Sequence, residues 1–133
     1  MSASEDRRRQ YPGERFARSV IQQDLDKISR ELKQEELGEA HERLGHNQIE
    51  LYRHGGTTVS LFVFDQGGHL PEHVVEDGAV MIQVLEGTVC FQTEDAETHI
   101  HPPENNVVFL EPGIEHSLQA ETEARVILTI MRG

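Results

Sequence analysis

The sequence predicts a single all-β domain, built as an antiparallel sandwich or small barrel and preceded by an α-helical segment. Two observations lead to this prediction. From Gln48 to Met131, short runs of β-branched and aromatic residues alternate with turns rich in Gly, Pro, Asn and Asp, and no helical pattern interrupts them. Before this region, apolar residues recur at helical spacing. The 133 residues are enough for one hydrophobic core without disulfide bonds.

The amino-terminal part divides into two segments. Residues 1–18 are rich in charge and offer little apolar surface to bury, so we expect a disordered tail. Residues 19–45 are predicted to be helical, with the main helix running from about Ser19 to Leu37, because four apolar residues fall on one helix face: Ile21, Leu25, Ile28 and Leu32. This face packs either on the β domain or on a second subunit, and the sequence leaves both open.

Residues 46–133 form the predicted β domain. His73 lies on one strand, and the other predicted strands are Ile49–Arg53, Thr58–Phe64, Val80–Leu85, Thr88–Thr93, Thr98–His101, Val107–Leu110, Ser117–Ala120 and Arg125–Met131. The Val80–Leu85 strand is largely apolar on both faces. A sheet of this kind needs a second layer, supplied by the helix or by another subunit.

Charge and cysteine content exclude several classes of protein. The formal net charge of −12 argues against sequence-independent nucleic-acid binding, which depends on Lys and Arg neutralising phosphates. No apolar run approaches the roughly 20 residues of a membrane-spanning helix, and we expect no membrane partner. The single cysteine, Cys90, excludes an intramolecular disulfide and fits a reducing compartment, so we expect a cytoplasmic protein. Cys90 itself is interpreted as a small hydrophobic residue of a strand rather than a nucleophile.

Two sequence motifs carry a family resemblance. Gly67 precedes His73 by six residues, and the segment closes on Leu85-Glu86-Gly87. The second motif is Pro112-Gly113-Ile114-Glu115-His116. In this order and spacing the motifs resemble those of the cupin superfamily, over roughly residues 48–131. The resemblance implies a double-stranded β-helix, also called a jelly-roll or RmlC-like barrel, in a small protein that often dimerises. Together with the two apolar faces of Val80–Leu85, it leads us to expect a homodimer.

The resemblance also implies a metal site made of three histidines and one glutamate. This chain supplies His73 and His116, while Val75 and Val80 stand at the other two ligand positions. Valine has no lone pair to donate to a metal. His69 shares the strand parity of His73, which makes it the best third ligand that the sequence offers. A divalent metal such as zinc, nickel, iron or manganese stays open as a cofactor, and none is certain.

Strand parity also predicts a ligand pocket. Residues of equal parity share a face, so the wall near His73 and His116 should be apolar, formed by Val75, Val80, Ile82 and Val84. The remaining histidines have simpler interpretations. His99 and His101 flank Ile100 and are expected at an exposed edge rather than in a metal site, and His46 borders the end of the helical segment.

Three functions follow from these observations. The first is a barrel that binds a small, partly apolar ligand without a complete metal site. The alternative is a metal-dependent enzyme of the oxygenase or isomerase type, using His73, His116 and a non-standard third ligand. The second alternative is a dimeric interaction scaffold with the helix as its contact surface. The sequence leaves open whether the protein is an enzyme, since function depends on the site and not on the fold.

Overall fold

The computed structural model describes residues 13–17, 20–34 and 44–133. Most of the tail predicted for residues 1–18 and the end of the helix predicted near residue 37 lie outside the described residues. In chain order, the elements are β1 (Glu14–Ala17), β2 (Val20–Gln22), α1 (Leu25–Gln34), β3 (His46–His54), β4 (Thr57–Phe64), β5 (His69–His73), β6 (Gly78–Glu86), β7 (Val89–Thr93), β8 (Glu97–Ile100), β9 (Val107–Leu110), β10 (His116–Ala120) and β11 (Ala124–Arg132).

The β domain consists of two antiparallel sheets. The five-stranded sheet has the order β3-β4-β11-β6-β9, and the four-stranded sheet has the order β5-β10-β7-β8. Apart from the hairpins β3–β4 and β7–β8, neighbouring strands in each sheet are not consecutive in sequence, which is the topology of a jelly roll. Strands β1 and β2 form a separate two-stranded sheet. The prediction of an all-β barrel with an amino-terminal helix is confirmed.

The main hydrophobic core lies between the two large sheets. Val84, Ile82 and Val80 of β6 alternate with less buried neighbours and face this core. Val89 and Phe91 of β7 and Leu118 and Ala120 of β10 reach it from the other sheet. These side chains pack with Phe62, Phe64, Val75, Ile100, Leu110, Ala124, Val126 and Leu128.

A second hydrophobic cluster lies between α1 and the outer side of β3 and β4. Ile28 and Leu32 are buried in it, against Ile49, Leu51, Leu61 and Ile127. The apolar face of the helix therefore packs on the β domain of its own chain. The outer surface of β9 lies beyond the helix, and Phe109 of this strand is 70% exposed there.

The helix begins later than the predicted Ser19. Val20 and Ile21 belong instead to β2, which pairs with β1, and β-branched residues favour strands. Asp24 then caps the helix, because its Oδ1 atom accepts a hydrogen bond from the backbone N–H of Lys27 at 3.1 Å. None of the helices in the described part of the chain is long and apolar enough to span a membrane.

Replacing Ile28 tests the packing of α1. We expect Ile28→Ala to lower the free energy of unfolding by about 2–5 kcal/mol, because it leaves a cavity among fully buried side chains. Urea denaturation measures this change. The matched control is Glu31→Ala on the exposed side of the same helix, which should change stability by less than about 0.5 kcal/mol. Equal effects of the two substitutions would show that the helix does not pack as described.

Candidate functional site

The pairing of β5 with β10 brings His73 and His116 together. The two residues are directly opposite each other across the strands, and their ring centroids lie 4.1 Å apart. His116 is the first residue of β10, just after the Pro112-Gly113 turn. Gly113 has a positive φ of 86° and its N–H donates to the carbonyl of Val75 at 2.9 Å. This bond ties the turn to the segment that follows β5, and so fixes the start of β10 beside His73.

Hydrogen bonds to the backbone set the tautomer of both rings. Nδ1 of His73 lies 3.0 Å from the carbonyl oxygen of Pro71, and Nδ1 of His116 lies 3.0 Å from that of Ile114. A carbonyl oxygen only accepts, so Nδ1 carries the proton in each ring. In the neutral rings both Nε2 atoms therefore carry a free lone pair. Among the described residues, Nε2 of His116 is buried and has no hydrogen-bond partner.

The surroundings of His116 keep its ring neutral. The residue is only 2% exposed, and its ring stacks on Phe91 at a centroid distance of 5.9 Å. Burial lowers the pKa of His116, and the hydrogen bond to the carbonyl of Ile114 opposes this shift. The nearby imidazole of His73 lowers the pKa further. At neutral pH the site therefore presents an uncharged acceptor in apolar surroundings.

The residues present do not fit the complete metal site that the resemblance implies. Val75 and Val80, at two of its four ligand positions, are both buried and pack into the main core. Ile82 and Val84, predicted to line a pocket, are also fully buried in this core. The structure brings two of the four ligand positions together as imidazoles, and fills the other two with aliphatic groups.

His69 does not join this pair. The pairing of β5 with β10 has a register shift between Leu70 and His73, so the alternation assumed from the sequence is broken. His69 pairs with the exposed Gln119, on the outer side of the sheet, whereas His73 pairs with the buried His116. The parity argument that made His69 the third ligand therefore does not hold across this strand.

Carboxylates surround the approach to the pair. Glu72 and Glu115 each precede one of the two histidines, and they share a hydrogen bond that raises the pKa of Glu115. The charge of Glu72 adds to this rise, followed by smaller effects of burial and of Glu94 and Glu76. Glu72, Glu94 and Glu115 also line an open groove that reaches His116. A negative potential at this entrance disfavours anions.

His46 is a buried histidine whose position the sequence did not reveal. It is 1% exposed and lies in the interior, with its ring 5.3 Å from Phe62 and 5.2 Å from Phe64 between centroids. Its Nε2 donates to Oε1 of Gln48 at 2.9 Å. Burial lowers the pKa of His46, and the bond to Gln48 opposes this effect. In the sequence, His46, Gln48 and Glu50 occupy alternate positions, which places them on one face of a strand. The structure shows that all three are buried.

The outer side of the four-stranded sheet carries a group that sequence reasoning also missed. His99 and His101 are exposed, as predicted, but Cys90 and Glu121 lie beside His99. Cys90 is half-buried and lies on the outer side of β7, because its neighbours Val89 and Phe91 face the core. Burial raises the pKa of the Cys90 thiol, and Glu97 raises it further, so the thiol is protonated at neutral pH and is a poor nucleophile.

Several solved structures with the same fold are cupins. A RmlC-like cupin from Desulfovibrio desulfuricans matches with a TM-score of 0.58 and 20% identity, over 89% of this chain and 94% of that one. A cupin superfamily protein from Desulfitobacterium hafniense matches with a TM-score of 0.61 and 16% identity, over 66% of this chain and 78% of that one. A predicted oxalate decarboxylase from Thermotoga maritima matches with a TM-score of 0.60 and 17% identity, over 66% of this chain and 81% of that one.

These similarities establish the fold. No protein-family model matches the sequence, and a search of curated proteins finds no match. The chain is therefore a small single-domain barrel of the cupin fold, as the two motifs predicted. At such low identities the neighbours do not transfer an activity to it.

The lowered pKa of His46 predicts a pH-dependent stability. As the pH falls below about 6.5, the unfolded chain takes up a proton at His46 that the native state resists, so the free energy of unfolding should decrease. His46→Gln removes this group and should make the decrease from pH 7.5 to pH 5.5 smaller than in the wild type. Urea denaturation at the two pH values measures it. Parallel curves for both proteins would contradict the assignment.

Proposed function

We propose that this chain binds a small, partly apolar molecule at the His73–His116 pair, through the Nε2 atoms of the two rings. The observation that carries the proposal is the buried Nε2 of His116, which has no partner among the described residues. A buried acceptor without a partner costs about 1–3 kcal/mol. A ligand that donates a hydrogen bond to this atom recovers that free energy on binding.

The chemistry of the site restricts the ligand. Since both Nδ1 atoms donate to backbone carbonyls, the two Nε2 atoms act as acceptors, and the ligand must supply a hydroxyl, amide or amine donor. Phe91 beside His116 favours an apolar or aromatic body next to that donor. The carboxylates of Glu72 and Glu115 disfavour anions, including a dicarboxylate such as the oxalate named for the Thermotoga neighbour.

A divalent metal is the second candidate for the same two atoms. An imidazole whose Nδ1–H donates to a carbonyl presents Nε2 in the orientation that metal sites use. Zinc, nickel, iron or manganese bound there by His73 and His116 would need a third, non-standard ligand or water, and would supply the Lewis acidity of an oxygenase or isomerase. Val75 and Val80 argue against this candidate, because they leave two ligand positions without donors.

Three probes with the same apolar body test the ligand chemistry. Benzyl alcohol, benzylamine and benzoate differ only in their polar group. We expect the alcohol and the amine to shift the NMR signal of the His116 Nε2 nitrogen in metal-free protein, and benzoate to leave it unchanged, because only the first two donate without carrying negative charge. Stronger binding of benzoate than of the other two would contradict the proposal.

Two variants locate the binding. His116→Phe removes the acceptor and keeps an aromatic ring beside Phe91, so benzyl alcohol binding measured by isothermal titration calorimetry should disappear, whereas His101→Gln at an exposed position should keep it. Thermal unfolding without ligand establishes that both variants fold. Metal analysis of untagged protein tests the second candidate. One equivalent of metal in the wild type, lost in both His73→Gln and His116→Gln, would favour a metal site at the pair over a small-molecule site.

We propose further that two copies of the chain pair through β9. This strand is at the edge of the five-stranded sheet, and it exposes Val107 and Phe109. An edge strand offers unpaired backbone groups to an identical strand, which produces a two-fold symmetric dimer. The helix does not compete for this surface, because α1 packs on β3 and β4.

Replacing Phe109 tests the dimer. Phe109→Asp places like charges opposite each other in a symmetric interface, so we expect the dimer to dissociate into monomers that keep the native circular dichroism spectrum. Analytical ultracentrifugation measures the mass, with Thr98→Asp on an exposed strand of the other sheet as the control. A monomeric wild type, or a dimer unaffected by Phe109→Asp, would exclude this interface.

A further inference from the structure

The hairpin of β7 and β8 holds a second set of side chains that suit a metal. A tight turn joins the strands, in which the N–H of Thr93 donates to the carbonyl of Ala96 at 2.8 Å. This turn sets the register and puts Cys90 directly opposite His99. The chain leaving β10 runs along the other side of β7, where the N–H of Glu121 donates to the carbonyl of Thr88 at 2.8 Å. Cys90, His99 and Glu121 are thereby brought to one place.

Their donor atoms converge. A nitrogen of His99, the sulfur of Cys90 and a carboxylate oxygen of Glu121 all lie within 4.8 Å of one another. In the part of the chain that the structure describes, no other set of three or more His, Cys, Asp or Glu side chains meets this condition. Nδ1 of His99 and Oε1 of Glu121 are already in contact. Donors on one zinc ion lie roughly 3–4 Å apart, given bonds of about 2.0–2.3 Å, so small side-chain rotations are enough to close the site.

We propose that Cys90, His99 and Glu121 bind one zinc ion on the outer side of the four-stranded sheet. A thiolate and an imidazole select zinc over magnesium or calcium, which prefer oxygen ligands. The Cys90 thiol loses its proton to solvent as the sulfur–zinc bond forms. The resulting thiolate and the carboxylate of Glu121 together balance the two charges of the ion. Water or Glu97 takes the fourth position.

Neighbouring residues orient the ligands in the way that metal sites require. Oε1 of Glu97 lies 3.5 Å from the sulfur of Cys90, and Nε2 of Gln92 donates to the same oxygen at 2.6 Å. Nδ2 of Asn105 donates to the carbonyl of His99 at 3.2 Å, which holds the backbone of that residue. Supporting bonds of this kind restrict the ligands before the ion arrives.

This site is separate from the His73–His116 pair. Cys90 lies between Val89 and Phe91, whose side chains face the core, so its own side chain faces outward. His116 is buried on the inner side of the same sheet. His99 and Glu121 are exposed, so an ion reaches them from solvent without entering the barrel. The ion would connect β8, the edge strand of this sheet, to the segment after β10. We therefore assign it a stabilising role.

Cobalt is the probe for this site, because Co²⁺ takes zinc positions and a thiolate ligand gives it a charge-transfer absorption. The experiment uses the full chain without a histidine tag, freed of metal by a chelator. We expect one equivalent of Co²⁺ with a thiolate absorption band, which one equivalent of Zn²⁺ removes by displacement. Zinc should also raise the thermal unfolding temperature, since it binds the native state. A wild type without the thiolate band would overturn the proposal.

Variants separate this site from other metal binding. Cys90→Ser should abolish the band, and His99→Gln and Glu121→Gln should each weaken cobalt binding by at least about 10-fold. His101→Gln, an exposed histidine of the same region, should bind as the wild type does, and so should His73→Gln combined with His116→Gln. Circular dichroism of the metal-free variants verifies their folding. Cobalt binding that is unchanged in His99→Gln and Glu121→Gln would indicate an isolated thiol. Loss of the band in the His73→Gln, His116→Gln double variant would place the metal in the barrel. Either result would contradict the proposal.

Discussion

The barrel depends on the alternation of its strands between an inner side that must be apolar and an outer side that need not be. Two antiparallel sheets enclose one continuous core, and alternate residues of β6, β7, β10 and β11 fill it. A shift of one residue would transfer a whole strand's side chains to the other side, so the core strongly selects one register. The same alternation sorts the chemistry of the molecule. His116 faces the inner side. Cys90 and Gln119 face the outer side, because each is adjacent in sequence to residues that face inward.

On the inner side, two polar groups lie beside the apolar core: the His73–His116 pair, and His46 with its partner Gln48. Val75 and Val80 occupy two positions at which the resemblance implied metal ligands, and they pack in the core instead. An unpaired imidazole nitrogen in such surroundings lowers stability, and proteins retain features of this kind where a ligand needs them. In the proposed function, the acidic entrance formed with Glu72 and Glu115 adds a selection by charge to the selection by hydrogen bonding.

On the outer side, the turn between β7 and β8 determines which side chains lie beside each other. It aligns Cys90 with His99, and the return of the chain after β10 adds Glu121. The two sites share the four-stranded sheet but face opposite directions. A ligand at one can therefore be studied without occupying the other, and variants at His116 and at Cys90 report on separate properties of the protein.

The strands were largely predictable from the sequence, because periodicity and turn residues are local. Val107–Leu110 has the bounds that were predicted, and the inward positions of Val80, Ile82 and Val84 follow directly from their alternation. The prediction placed the start of α1 too early, because Ile21 fits the helical spacing of the apolar residues. The structure instead places Val20 and Ile21 in a strand, and the helix begins after the cap at Asp24. A two-residue turn at Glu94-Asp95 would also have predicted the pairing of Cys90 with His99.

The sequence by itself determined the fold class, the strands and the two motif histidines, since each of these depends on residues close together in the chain. Only the tertiary structure decided which side chains meet. The register shift in β5 placed His73 against His116 and turned His69 away, and the crossing of β10 beside β7 brought Glu121 to Cys90. Both outcomes depend on pairing between strands far apart in sequence, where a single bulge changes the face on which a side chain lies.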